Sequence, residues 1–224
     1  MPARFRNRTD AGRRLATVLS PYADRADVLV LALPRGGVPV AFEVARTLNV
    51  PLDVFIVRKL GVPGHEEFAM GAIASGGVRL VDEAVVRELR IGAREVELVA
   101  QAEQEELERR ERQYRGARPL PDIAGRTVIV VDDGLATGAS MRVAVAALRQ
   151  EHPARIVVAV PIAPPETCDM LRADADDVVC AVTPEPFYAV GLWYEDFEQT
   201  TDDEVHHLLE RARHEVAPAP LPRR

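Results

Sequence analysis

The stretch Val128–Met141, V-I-V-V-D-D-G-L-A-T-G-A-S-M, holds the residues most suited to chemistry. Glycines and alanines dominate the loop after its two carboxylates, so backbone N–H groups could close there on a bound oxyanion. A helical pattern follows the loop, and the N-terminus of a helix adds unpaired donors and a favourable dipole. Thr137 and Ser140 can add hydroxyl donors. The stretch therefore predicts a phosphate site, although the G-x-x-x-x-G-K-[ST] and G-x-G-x-x-G motifs are absent from the sequence.

Asp132 and Asp133 need a different partner, because carboxylates repel phosphate. Acceptors beside an anion site suit sugar hydroxyls and an indirect contact with Mg²⁺. A phosphorylated sugar with free vicinal hydroxyls would satisfy both the loop and the acids. The alternative is an ordinary turn between a strand and a helix, in which two adjacent Asp buried without a nearby base would be costly.

Short β-branched runs alternate with helical patterns along most of the chain. Because the strand runs are continuously apolar, both faces of their sheet are expected to be covered, as in a parallel α/β sheet. The predicted fold is a three-layer doubly wound α/β fold with about five parallel strands and ligands at their carboxyl ends. The predicted strands span 28–33, 53–57, 127–131, 155–160 and 177–182, and the predicted helices 38–48, 140–150 and 165–173.

Two segments depart from this pattern. Residues 82–114 are predicted to be helical with a break at Gly92, and their charged second half is typical of a solvated helix face. Residues 183–200 are rich in aromatic side chains: the chain has 6 Phe, 4 Tyr and 1 Trp, and five of these fall here.

Composition excludes several classes of protein. With 224 residues, 47% of them hydrophobic, the chain is long and apolar enough to fold into a packed domain. Its apolar runs are too short for a membrane span, no secretory signal is visible, and the expected location is cytoplasmic. The net charge of −7 argues against general nucleic-acid binding. Cys168 and Cys180 match no zinc pattern and are predicted to be buried apolar side chains.

The stretch 128–141 resembles the phosphoribosyl pyrophosphate (PRPP) signature of type I phosphoribosyltransferases, an apolar strand followed by two acids and a T-G-x-[ST] loop. The resemblance implies that Asp132 and Asp133 contact the ribose hydroxyls. It also implies that residues 134–140, here named the phosphate loop, bind the 5′-phosphate. The loop residues assigned to PRPP are Gly134, Leu135, Ala136, Thr137, Gly138, Ala139 and Ser140.

Residues 33–37, L-P-R-G-G, resemble the pyrophosphate loop of the same family and keep that name below. In the family, backbone amides of this loop hold the leaving group and a non-proline cis peptide is common. The resemblance therefore assigns Arg35, Gly36 and Gly37 to PRPP. The alternative is a glycine-rich turn from a strand into a helix.

The stretch 57–63, V-R-K-L-G-V-P, is similar to the R-K-x-G-x-x-P segment of adenine-type members, which precedes a mobile loop that closes over the site. By resemblance, Arg58 and Lys59 neutralise pyrophosphate as it leaves. Glu66, or its neighbours His65 and Glu67, could serve as acid or base from the lid. The alternative for the basic pair is a solvated strand end.

The aromatic segment 183–200 lies where many family members place a hood over the acceptor base. Tyr188, Trp193 or Phe187 could stack on a heterocycle, and Tyr188 and Trp193 are assigned to the acceptor. Alternatively, the rings only pack the hood against the sheet. The expected organisation is one domain over 1–216, containing a helical insertion at 82–116 and the hood, followed by a mobile tail at 217–224.

One departure from the family bears on the acceptor. In 6-oxopurine enzymes the residue before T-G of the loop is an Asp that acts on the base, whereas this chain has Ala136. The loop is closer to the adenine type, yet the aromatic segment comes late in the chain, unlike in adenine enzymes.

The resemblance implies Mg²⁺-dependent transfer of ribose 5-phosphate from PRPP to a nitrogenous acceptor, with release of pyrophosphate. Asp132 and Asp133 would act on the metal indirectly, through PRPP and water. A homodimer is expected, and neither a membrane nor nucleic acid is expected as a partner. The main alternative is a non-catalytic PRPP-sensing module, and a weaker one is a nucleotide- or phosphate-binding interaction protein on the same sheet.

Overall fold

Strands and helices alternate through residues 4–215, the part of the chain that the computed structural model describes. The strands are β1 (Val28–Ala32), β2 (Leu52–Val54), β3 (Val57–Val62), β4 (His65–Ala74), β5 (Val78–Val81), β6 (Thr127–Val131), β7 (Arg155–Ile162) and β8 (Asp177–Val182). The helices are α1 (Arg8–Val18), α2 (Gly37–Leu48), α3 (Glu83–Glu88), α4 (Ala93–Arg115), α5 (Ala139–Gln150), α6 (Pro165–Leu171) and α7 (Asp202–Glu215).

Five parallel strands form the central sheet in the order β2-β1-β6-β7-β8. Strands β1 and β6 are buried along their whole length, which explains why they read as unbroken apolar runs. Alternate residues of β1 point to opposite faces: Val28 packs in one hydrophobic cluster with α2, α4 and α7, and Leu29 in another with α5 and α6. The predicted doubly wound α/β fold is confirmed.

A second sheet occupies the region between β2 and α3. Strands β3, β4 and β5 are antiparallel neighbours in that order. The predicted strand 53–57 is confirmed as β2 but is shorter than expected, since the chain leaves the central sheet after Val54 and begins β3 at Val57. The predicted mobile loop is a β-hairpin that turns at residues 63–64. The first half of β4 is exposed to solvent, so this part of the sequence lacks the alternation of apolar and polar residues that identifies a strand.

The helical prediction for residues 82–114 agrees with α3 and α4, which are separated at Gly92, the N-cap of α4. Helix α4 packs on β3 and α7, with Leu107 and Tyr114 buried. Most of its charged side chains face solvent, as predicted. The exception is Arg115 at its C-terminus, which is buried. Within residues 4–215, no helix is long and apolar enough to cross a bilayer.

Cys168 on α6 and Cys180 on β8 form a disulfide, with Cα atoms 7.0 Å apart. The prediction of two simple apolar side chains is wrong, although Cys168 is indeed buried. The pairing depends on α6 lying against β8, which the 12-residue spacing alone does not reveal. The predicted tail at 217–224 and the domain limits at residues 1 and 216 lie outside the described residues.

Candidate functional site

The pyrophosphate loop and the paired acids lie side by side at the carboxyl edge of the central sheet. They follow β1 and β6, which are neighbouring strands with Ala32 opposite Val131. The N–H of Leu33 donates to the carbonyl of Val131 at 2.8 Å, which extends this pairing into the loop. Parallel strands bring their carboxyl ends to one edge, as predicted, and the adjacency of β1 and β6, which was not predicted from the sequence, brings these two loops together.

Glycine is required where the two loops touch. A Cβ atom on Gly36 would overlap Oδ2 of Asp133, and one on Gly37 would lie 2.7 Å from the carbonyl oxygen of Val131. The peptide bond between Pro34 and Arg35 is cis, as the resemblance implies, and α2 begins at Gly37. The structure thus places a compact backbone loop directly against the two carboxylates.

The two acids share a poorly solvated position. The N–H of Asp133 donates to Oδ1 of Asp132 at 2.8 Å. Burial raises the pKa of Asp132 well above its ordinary value, and repulsion from Asp133 adds to the rise. Burial also raises the pKa of Asp133, but the nearby Arg8 opposes that rise. Such a pair favours a ligand that brings hydroxyl donors or a cation.

Asp133 is held by residues from both ends of the described chain. Nε of Arg8, on α1, donates to Oδ2 of Asp133 at 2.8 Å. The hydroxyl of Tyr194 donates to the carbonyl of Asp133 at 2.5 Å, and burial raises the pKa of that phenol. Sequence reasoning missed both residues. Arg8 is one of five arginines between residues 4 and 14, and no spacing distinguishes it.

The phosphate loop leads into α5, which begins at Ala139. Gly138 is its N-cap, with φ of 71°, and provides no side-chain hydrogen bond to the first turn. Thr137 and Ser140 are exposed, so the loop presents two hydroxyls and the start of a helix at the surface, and the N–H of Ala139 donates to the Thr137 hydroxyl at 3.5 Å. Thr167 on α6 supports the loop from below, because its hydroxyl donates to the carbonyl of Ala136 at 2.6 Å.

Two residues of the phosphate loop are used for packing. The Leu135 side chain is buried in the core, and its N–H donates to the carbonyl of Ile162 at 2.9 Å, so this amide is not free for an anion. A Cβ atom on Gly134 would lie 2.5 Å from Val190, which means that its small size lets the hood pack on the loop. Gly134 and Leu135 therefore pack within the protein, whereas Ala136 and Thr137 lie at the surface.

Arg35 extends toward α7 and α4. Its NH1 lies 4.0 Å from Oδ1 of Asp202 at the start of α7. The hydroxyl of Tyr114, on α4, donates to the same oxygen of Asp202 at 2.5 Å, and burial raises the pKa of Tyr114. The helical segment 82–116 therefore reaches the pyrophosphate loop through α7.

Arg58 and Lys59 do not form a joint basic site. They are successive residues of β3, so their side chains point to opposite faces of the second sheet. Nε of Arg58 donates to Oε2 of Glu103 on α4 at 2.6 Å, whereas Lys59 is exposed. Glu66 lies on the exposed half of β4, and within residues 4–215 no hydrogen bond or ion pair joins its side chain to another residue.

The hood residues divide into packed and exposed rings. Tyr194 packs between Phe5 and Phe197, with tilted rings whose centroids are 5.3 and 4.8 Å away. Trp193 is half-buried beside this cluster, while Tyr188 is 79% exposed. Of the two side chains assigned to the acceptor, Tyr188 is thus the one whose ring has no packing role.

The donor set at the two acids suits a Mg²⁺ that is held largely by its ligand. Among residues 4–215, no three His, Cys, Asp or Glu side chains converge to hold a metal ion on their own. Mg²⁺ commonly uses one or two carboxylates and completes its shell with water and substrate phosphates. Asp132 and Asp133 fit a Mg²⁺ that arrives with a phosphorylated ligand and is contacted through it and through water.

Comparisons with known proteins agree with this geometry. The family model of the phosphoribosyl transferase domain matches residues 4–193. Two proteins of Mycobacterium tuberculosis named "Putative phosphoribosyl transferase", Rv0571c (strain ATCC 25618 / H37Rv) and MT0597 (strain CDC 1551 / Oshkosh), are each 46% identical over 215 residues, or 96% of this chain. The crystal structure of TT1426 from Thermus thermophilus is 45% identical, with a TM-score of 0.80 over 93% of this chain and 98% of that one. The chain spans about half the length of the two mycobacterial relatives, 48%.

Proposed function

This chain belongs to the phosphoribosyl transferase domain family, and from that premise we propose that it transfers ribose 5-phosphate from PRPP to a nitrogenous acceptor and releases pyrophosphate. The observation that carries the proposal is the contact between Gly36 and Asp133. The contact brings a backbone loop suited to pyrophosphate next to carboxylates suited to a diol. The phosphate loop follows these carboxylates in the chain and leads to the N-terminus of α5, which suits the 5′-phosphate.

PRPP carries three kinds of groups, and the site offers a partner for each. The hydroxyls and first-turn amides after Ala136 would hold the 5′-phosphate at the start of α5. Asp132 and Asp133 would accept from the ribose 2- and 3-hydroxyls. Arg35 and the amides of the pyrophosphate loop would hold the diphosphate at C1.

Mg²⁺ is the proposed cofactor, bound through PRPP and water near Asp132 and Asp133. When bound, it would neutralise part of the diphosphate charge and so favour departure of pyrophosphate. Raised pKa values of the two acids are consistent with carboxylates that bind best when a cation and hydroxyl donors are present. This chain's own contribution is to orient the sugar and exclude water around C1.

During the reaction, the bond from C1 to the diphosphate oxygen breaks and a bond from the acceptor nitrogen to C1 forms. The leaving group departs with the bonding electron pair, toward Arg35 and the basic residues of β3. Arg58 and Lys59 are proposed to neutralise that charge, which requires Arg58 to leave its ion pair with Glu103. Glu66 is the proposed acceptor of the proton that the attacking nitrogen loses, and Tyr188 and Trp193 are proposed to contact the acceptor.

Titration calorimetry with Mg·PRPP tests the binding part of the proposal. We expect the wild type to bind and the double variant Asp132→Asn/Asp133→Asn to lose at least tenfold in affinity. The control Glu105→Gln/Glu108→Gln removes the same charge from the exposed face of α4 and should bind normally. Equal affinity in the wild type and in the Asp double variant would refute the ribose assignment.

Pyrophosphate release, measured with Mg·PRPP and a panel of purines, pyrimidines and simple amines, then separates the enzyme from the PRPP sensor. Release that depends on one acceptor, together with a product heavier by the ribose 5-phosphate group, supports the transferase. Binding of PRPP without release for any acceptor supports the sensor.

A further inference from the structure

One oxygen of Asp133 is occupied within the protein and the other is not. Oδ2 accepts from Nε of Arg8, whereas Oδ1 takes no hydrogen bond from any residue between 4 and 215. We propose that Arg8 is a positioning residue that fixes Asp133 so that Oδ1 accepts from a ribose hydroxyl of the substrate. This inference rests on the proposed function and adds a residue outside the PRPP-binding loops.

The guanidinium of Arg8 is itself held on three sides. Besides Asp133, it donates from NH1 to the carbonyl of Glu198 at 2.6 Å. It also lies over the ring of Phe197, with its central carbon 4.0 Å from the ring centroid. The Arg8 side chain is only 12% exposed. The planar Arg8 guanidinium, held by two acceptors and an aromatic ring, therefore has a fixed orientation that the ammonium group of a lysine could not reproduce.

The backbone near Arg8 is fixed to the hood. The N–H of Phe5 donates to the carbonyl of Trp193, and the N–H of Glu195 donates to the carbonyl of Phe5, both at 2.8 Å. The N–H of Asp196 donates to the carbonyl of Arg6 at 3.0 Å. Residues 5–8 and the hood therefore form one unit, and Arg8 joins that unit to the ribose-binding acid.

The consequence is specific to one part of the substrate. Two adjacent carboxylates repel each other, so Asp133 would rotate away from Asp132 without a cation on its far side. Loss of Arg8 should therefore weaken contacts with the ribose diol. It should leave the pyrophosphate loop, whose diphosphate contacts come from Arg35 and backbone amides, largely unaffected.

Calorimetry with two separate probes, ribose 5-phosphate and magnesium pyrophosphate, tests this assignment. For Arg8→Met we expect ribose 5-phosphate affinity to fall at least tenfold and pyrophosphate affinity to stay within twofold of the wild type. Arg8→Lys should bind more tightly than Arg8→Met, because it keeps the charge, but at least threefold more weakly than the wild type, because it loses the planar fork. Arg6→Met is the matched control, since Arg6 is 69% exposed and pairs with Asp10 instead.

An equal loss for both probes would mean that Arg8 only supports the fold, and no loss for ribose 5-phosphate would overturn the inference directly. If Arg8→Met does not fold, Arg8→Lys and Phe197→Leu decide the matter. Each should lose at least threefold in ribose 5-phosphate affinity, and wild-type affinity in both overturns the inference. A wild type that binds neither probe nor Mg·PRPP contradicts the proposed function instead, so the two failures are distinguishable.

Discussion

Gly36 and Asp133 pack so closely that no side chain fits between them. The α-carbon hydrogen of Gly36 faces Oδ2 of Asp133, and a Cβ atom there would overlap that oxygen. Because Oδ2 also accepts from Arg8, the carboxylate cannot move away without breaking an ion pair. The contact and the ion pair therefore fix the position of the Asp133 carboxylate against the pyrophosphate loop.

Substitution Gly36→Ala should displace Asp133 and separate the two loops. We expect Mg·PRPP affinity, measured by calorimetry, to fall at least tenfold, and the free energy of unfolding to fall by about 1–3 kcal/mol from overpacking. Gly92→Ala is the control, because a Cβ there meets only the flexible side chain of Glu95 at 3.3 Å. Wild-type affinity in Gly36→Ala would show that the contact is dispensable for binding.

The raised pKa of Asp132 predicts how the stability of the ligand-free protein depends on pH. A carboxyl whose pKa is higher in the folded than in the unfolded chain destabilises the folded state increasingly as pH rises above the unfolded value, roughly 4. We expect Asp132→Asn to raise the melting temperature by about 2–4 °C at pH 8, equivalent to about 1 kcal/mol for a chain of this size, and by less at pH 5. Thermal unfolding in a chelator measures both differences.

Asp122→Asn is the control for this experiment, because Asp122 is exposed and the substitution removes a carboxylate that is not destabilised by burial. Its effect on the melting temperature should be small at both pH values. An Asp132→Asn variant that is less stable than the wild type at pH 8, or equally changed at pH 5 and pH 8, would contradict the expectation.

Glu103 is predicted to restrain Arg58. The ion pair between them, 2.6 Å from Nε to Oε2, is half-buried between α4 and β3. Glu103→Gln removes the charge that competes with an anion for this guanidinium, so we expect magnesium pyrophosphate to bind two- to fivefold more tightly. Calorimetry gives the affinities. Glu97→Gln, which breaks the exposed pair with Arg79, is the control and should leave the pyrophosphate affinity unchanged. An unchanged affinity in Glu103→Gln would show that Arg58 does not contact the leaving pyrophosphate.

The central sheet could be predicted from the sequence because its signals are local. Strands β6 and β8 were predicted at their observed limits from their β-branched runs, although only β6 is buried along its whole length and the edge strand β8 is partly exposed. That the pyrophosphate loop and the two acids lie at the same edge of the sheet also followed, because parallel strands share a carboxyl edge, but the neighbouring positions of β1 and β6 were not predicted. No side-chain detail was needed for either conclusion.

The missed features depend on contacts between distant segments. Arg8 and Asp133 are separated by 125 residues, and nothing in a run of five arginines marks which one is buried against an acid. Leu135 was assigned to the ligand from its place in a motif, yet its side chain fills the core and its N–H pairs with Ile162. The β3–β4 hairpin was predicted as a loop because its exposed half has no apolar alternation.

Arg115, at the end of α4, attaches the helical segment to the central sheet. Nε of Arg115 donates to Oδ1 of Asp53 at 2.9 Å, and its NH2 donates to the carbonyl of Val54 at 3.1 Å and to the hydroxyl of Ser75 at 3.2 Å. Burial raises the pKa of Asp53, and Arg115 opposes that rise. The side chains of the pair are only 3% and 9% exposed, so Arg115 compensates a charge that solvent does not reach.

Arg115→Met should therefore lower the free energy of unfolding by about 3–5 kcal/mol, because it leaves Asp53 buried without its cation. Urea denaturation measures this loss, and Arg112→Met, at a position 67% exposed, should cost less than about 1 kcal/mol. Adding Asp53→Asn to Arg115→Met should restore part of the stability, since the unpaired charge is then absent. Equal losses for Arg115→Met and Arg112→Met, or no recovery in the double variant, would show that the buried pair does not fasten α4 to the central sheet.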